Sequence, residues 1–172
     1  MFSKTSFCFL LALLIGATTM SAQTTLKYGH MNLGNLLESL PDTKTANDDL
    51  KIFTDKLTAK DDSLTKSFQA QYTKFEADYN AGTMTPVQSQ AGQAALQKLQ
   101  EDIQKFEQDA QQVIATKREE LLKPILTKVN DAVKVVAKEN GYVMIFDTSS
   151  GAMLFAAETD DVVALVKKKL GI

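Results

Sequence analysis

The chain of 172 residues holds one cysteine, one histidine and no tryptophan. A lone Cys can close no disulfide within the chain, and with a lone His it supplies no ordinary zinc ligand set. Three prolines and eight glycines are few breakers, too few for a chain of many hairpins, so long uninterrupted helices are expected. Charge of neither sign dominates: 19 basic and 21 acidic residues leave a formal net charge of −2. A nucleic-acid partner is therefore not expected, since such surfaces carry a basic excess. No Walker loop, GxGxxG turn or GxSxG elbow occurs, and the carboxylates do not follow a calcium-loop spacing. The reading is of a protein without metal, cofactor or catalytic site. At 44% hydrophobic residues it is still a folding chain, of one or two domains.

Its longest apolar run, Cys8–Ala17 (CFLLALLIGA), is too short to span a bilayer. Lys4 precedes it and the small, polar Thr18–Ala22 (TTMSA) follows. That is the layout of a secretory signal, cleaved after Ala22, with an uncleaved N-terminal anchor as the alternative. Residues 1–22 are thus read as a signal peptide. Its removal takes away Cys8 and Lys4, and the exported chain must rely on packing or oligomerisation for stability.

Residues 43–123 carry the clearest periodicity. Leu50, Phe53, Leu57, Leu64, Phe68, Tyr72, Phe75 and Tyr79 recur at helical spacing and fit no strand. Gly82 then offers a stop, Thr85 a cap and Pro86 a first helical residue. The stripe resumes at Leu96, Leu99, Ile103, Phe106 and Val113, a heptad seam. Two such helices joined by a short turn run antiparallel. Each, at nearly forty residues and ~1.5 Å per residue, is roughly 55 Å long. A compact domain of this size has a radius of gyration of about 15 Å, so the hairpin is expected to project. Its other faces are filled by Asp, Glu, Lys, Gln, Ser and Thr, and its return helix is rich in glutamine (Gln88, Gln90, Gln93, Gln97, Gln100, Gln104, Gln108).

The ends form a small body, residues 23–42 and 124–172. Leu26–Met31 reads as a strand, Asn32 as a helix cap and Pro41 as the end of that helix. Pro124 is expected to kink or divide the return helix, and Asn140-Gly141 to end it. Tyr142–Phe146 reads as a strand buried on both faces, Thr148–Gly151 as a hairpin turn and Ala152–Ala157 as the returning strand. Thr159 caps a last helix with Asp160 and Asp161 in its first turn. The fold class is α+β. Three strands with little covering mass make a poor independent domain, so the body is expected to complete itself by oligomerising through its strand edges.

The remaining constellations have bland readings. His30 is a body-packing residue rather than a catalyst, and Asp147-Thr148-Ser149-Ser150-Gly151 is a turn rather than half a protease dyad. Lys167-Lys168-Lys169 suits the last turn of a helix; a weak contact with an anionic membrane surface is the alternative. Phe68, Tyr72, Phe75 and Tyr79 belong to the seam between the helices. Apolar residues off that seam or at the tip, Ile52, Met84, Val87 and Ile114, are the candidates for gripping another polypeptide.

With this layout the chain resembles the periplasmic chaperone family known as Skp or OmpH. The resemblance rests on Tyr28-Gly29-His30-Met31-Asn32 with Leu36-Leu37 and Pro41, on Leu121-Leu122-Lys123-Pro124-Ile125, on Asn140-Gly141-Tyr142-Val143-Met144-Ile145-Phe146-Asp147, and on Thr159–Leu170. It implies a homotrimer with a small β-rich trimerisation body. Three coiled-coil tentacles would enclose a cavity that holds unfolded outer-membrane β-barrel proteins without ATP. Well-known members are strongly basic, whereas this chain is mildly acidic, which removes a simple attraction to acidic clients. Two alternatives are a periplasmic coiled-coil adaptor gripping one folded partner and an enzyme built on His30 or Asp147.

Overall fold

A computed structural model describes residues 26–172; residues 1–22, expected to be a signal peptide, lie outside the described residues. The chain is mostly helical, with two short strands. In order they are β1 (Lys27–Met31), α1 (Leu33–Glu38), α2 (Pro41–Asn80), α3 (Pro86–Asn140), β2 (Tyr142–Asp147), a 3-10 turn (Glu158–Asp160) and α4 (Val163–Leu170).

Local chemistry sets most of these boundaries. The Asn32 side chain accepts a hydrogen bond from the Asn35 N–H at 2.9 Å and starts α1. Pro41 does not close α1; it opens α2, at a first-turn position where its missing N–H is not needed. Thr85 and Gln88 form a reciprocal capping box at the head of α3, with Pro86 beside it. Gly141, at φ 71°, ends α3 in the left-handed conformation. Pro124 does not divide α3, which runs unbroken through it for 55 residues. Flanking packing holds the helix on both sides of Pro124, since Leu121 packs on the core before it and Ile125 and Val129 are buried after it.

β1 and β2 form a two-stranded parallel sheet, with His30 opposite Phe146 and Met31 opposite Asp147. Parallel strands need a crossover, and here α1, α2 and α3 together supply it. The free side of β1 is met by Asp161 at a single bridge, where the Val162 N–H donates to the His30 carbonyl at 2.9 Å. Gly29 permits this approach: a Cβ there would stand 2.8 Å from Val162 Cγ1.

Three expectations for the body are corrected. Ala152–Ala157 is not a strand. The turn closes, with Gly151 N–H donating to the Thr148 carbonyl, but the chain beyond, half of it alanine, which strands disfavour, does not return along the outer edge of β2. Leu154 and Phe155 stand 99% and 86% exposed. Nor is β2 buried on both faces. Val143, Met144 and Phe146 are exposed, and since neighbouring strand residues point to opposite faces, neither face of β2 is fully covered. Finally, α4 starts at Val163, not after Thr159; its N-cap is Val162, and the Asp161 carboxylate just before it accepts from the Val163 N–H at 2.7 Å.

The core is small. Met31, Leu36, Leu40, Ala46, Ile125, Val129, Ala132, Val136, Val162 and Val166 are its buried apolar residues. All come from the start of the chain, the end of α3, or α4 and its approach. Between residues 47 and 124 no described residue is buried. There α2 and α3 hold only each other, and their contacts run in opposite order. Asp42 pairs with Lys128, Lys60 lies over Phe106 and Phe75 meets Gly92. At ~1.5 Å per residue α2 is about 60 Å long, far beyond the reach of a ten-residue core.

Candidate functional site

The contact between the long helices is assembled at heptad spacing. Leu50, Phe53, Leu57, Leu64, Phe68 and Phe75 on α2 are partly buried, as are Leu96, Leu99, Ile103 and Phe106 on α3. Tyr72, Tyr79 and Val113 stand largely open, at 48%, 57% and 42% exposure. Each tyrosine stacks on the phenylalanine one turn before it, with ring centroids 6.2 Å apart for Phe68–Tyr72 and 6.1 Å for Phe75–Tyr79. These aromatic pairs therefore extend from the seam to the water. The Lys60 ammonium sits 4.9 Å from the Phe106 centroid, a cation–π contact at the seam edge.

The residues picked out for gripping a polypeptide are scattered. Ile52 and Val87 are open, at 54% and 77% exposure. Met84 is partly buried near the turn, its methyl 3.7 Å from where a Cβ on Gly92 would stand. Ile114 is partly buried and lines an open groove of about 740 Å³. The structure does not bring these four together.

Sequence reasoning missed that groove. Its walls are formed by α3 alone, with Ile114, Ala115, Leu122 and Leu126 as the apolar floor and Arg118 and Glu119 at the rim. Ala115, Arg118, Leu122 and Leu126 follow one another at steps of three and four, so the spacing was available to be read. Pro124 lies two residues from both leucines, roughly 200° around the helix at 3.6 residues per turn, hence on the far side. There it removes the bond to the Glu120 carbonyl and crowds it, which favours a bend away from the proline and a concave face where the groove lies.

Several polar side chains around the small core are engaged structurally. His30 Nε2 lies 2.9 Å from the Ala157 carbonyl, tying the irregular segment to β1. Asp147 accepts from the Leu33 N–H at 3.1 Å, the Ser149 N–H at 2.9 Å and the Ser149 hydroxyl at 2.8 Å. Burial pushes the Asp147 carboxyl up, but these hydrogen bonds outweigh it and hold the group below the ordinary carboxylate range. Lys169 pairs with Glu139 at 2.7 Å. Among the described residues no three His, Cys, Asp or Glu side chains cluster to hold a metal ion, and no helix is long and apolar enough to cross a membrane.

Two long antiparallel helices are thus rooted in a small core, with an apolar groove on α3 near that root. The family model described as outer membrane protein (OmpH-like) matches residues 27–170, and the chain belongs to that family. Among solved structures, it is similar to a proposed outer membrane chaperone (OmpH-like) from Caulobacter crescentus. That match has a TM-score of 0.72 at 15% identity and covers 84% of this chain and 83% of the other. No curated protein matches the chain.

Proposed function

We propose that this protein is an ATP-independent periplasmic holdase that binds unfolded outer-membrane β-barrel proteins and keeps them from aggregating. On this reading residues 1–22 are a cleaved signal peptide, 43–123 an arm, and 23–42 with 124–172 the body. The observation that carries it is the distribution of burial. Buried residues fall only between 29 and 46 or between 125 and 166, so the long stretch between is held by one seam and bathed in water elsewhere. Membership of the OmpH-like family supports the same reading.

Three copies would join through the open edge of β2 and the exposed Leu154 and Phe155, forming a homotrimer whose arms surround a cavity. Ile52 and Val87 would touch the client weakly and at many points, with Met84 and Ile114 contributing less open surface because both are partly covered. Retention then comes from avidity, and release needs only a better competitor. Lys167 and Lys168 would give at most a weak contact with a membrane surface. Light scattering of a diluted unfolded β-barrel protein should fall when the chain is added at stoichiometric trimer; unchanged scattering refutes the holdase. A pull-down that returns one folded partner instead of many unfolded ones would favour the adaptor.

A further inference from the structure

One face of α3 is left unused by the fold. Gln93, Gln97, Gln100, Gln104, Gln108 and Gln111 are all exposed, and their steps of three and four place them in a single row along the helix. The seam through Leu96, Leu99, Ile103 and Phe106 occupies a different face, partly buried against α2. At ~1.5 Å per residue the row is about 27 Å long. Gln97 donates to Glu101 Oε1 at 3.0 Å; among the described residues the other five side chains make no hydrogen bond. Beyond Gln111 the same row continues as Ala115, Leu122 and Leu126, the floor of the concave groove.

Such a row has its own chemistry. Each amide carries two N–H donors and a carbonyl acceptor, the same kinds of group as a peptide backbone. A lysine row would offer donors alone and a glutamate row acceptors alone, each choosing partners by sign. The glutamine row is neutral, and so is the open edge of an extended chain. That edge repeats its N–H and C=O groups about every 6.6 Å, close to the ~5–6 Å between neighbours on a helix face. We infer that the glutamine face of α3 is a rail for polypeptide backbone. It hydrogen-bonds the unpaired edge of an extended segment while the groove at residues 114–126 takes an apolar side chain of that segment. The inference rests on the holdase reading and names what the arm recognises. Open strand edges are the groups that drive unfolded β chains together. Each amide bond is weak against competing water, so several must act at once.

The probe is a short soluble peptide of alternating valine and threonine. A second version is N-methylated at every residue, so that both edges lose their donors. Both are titrated by fluorescence anisotropy against the full chain and against the variant Gln93→Ala, Gln100→Ala, Gln104→Ala, Gln108→Ala. Alanine is the stronger helix former, and a circular-dichroism melt checks that the arm persists. Methylation and the four substitutions should each weaken binding about tenfold or more, with the methylated peptide no longer distinguishing parent from variant. Affinity should change little with salt. Equal affinities for the two peptides, equal affinities of parent and variant, or a steep salt dependence overturns the rail. A variant that binds both peptides like its parent, and suppresses barrel-protein aggregation as well, rejects the rail and leaves the holdase standing. A parent that suppresses nothing removes both.

Discussion

Gly92→Ala tests how the two long helices lock together near their turn. In an exposed helix interior this change normally stabilises by about 1 kcal/mol. At Gly92 the new methyl would stand 2.6 Å from two ring carbons of Phe75, where carbon atoms prefer ~3.5–4 Å. The ring must swing toward water or the helices must part, and overpacking of this kind costs about 1–3 kcal/mol. The net effect is expected between no change and a loss of about 2 kcal/mol, the difference of those two terms. In a Phe75→Ala background the obstruction is gone, and the same substitution should stabilise by about 1 kcal/mol. The sign therefore reverses, with a coupling of about 1–3 kcal/mol in the double-mutant cycle. Amide hydrogen exchange across residues 72–96 is the assay, because the far end of a helix pair opens locally before the core does. Slower exchange of equal size in both backgrounds would refute the notch.

Other perturbations separate the core from the arm. Val129→Ala removes two methyl groups from a fully buried site and should cost about 2–3 kcal/mol, read as a lower denaturation midpoint. Ile52→Ala, at a residue 54% exposed, should change that midpoint by no more than about 0.5 kcal/mol; a loss as large as that of Val129 would mean Ile52 is covered in the assembled protein. Thr85→Ala breaks the capping box and should speed exchange in the first turn of α3, a loss of about 1 kcal/mol confined to that end. Asp147→Asn concerns acid. The folded carboxyl titrates below its ordinary value of about 3.9, so its stabilisation is complete above that pH and disappears as pH falls through the lowered folded value. The variant should be less stable at pH 7 and converge on its parent in acid below about pH 4; a constant gap between chemical denaturation curves at the two pH values would contradict this.

The features legible in the sequence are those decided within a few residues. Asn32 caps α1, Thr85, Pro86 and Gln88 start α3, and Gly141 ends it, because each acts on backbone groups no more than four positions away. The seam was legible too, since heptad spacing is itself a statement about one helix face. Pro41 was misread because proline is compatible both with the region after one helix and with the first turn of the next. Only the spacing between α1 and α2 shows which applies.

What the tertiary structure decided depends on groups far apart in the chain. β1 pairs with β2 across more than a hundred residues, and nothing local to either strand specifies a parallel partner. The segment 152–157 is apolar, as a strand would be, but half of it is alanine and it does not take up the outer edge of β2, so its pattern alone could not make it a strand. The groove was half legible: its floor residues follow helical spacing, but only the fold shows that α2 leaves that face of α3 open. Patterns of spacing determine helices because the backbone closes its own bonds there. Strands, edges and concave faces wait on whatever the fold brings beside them.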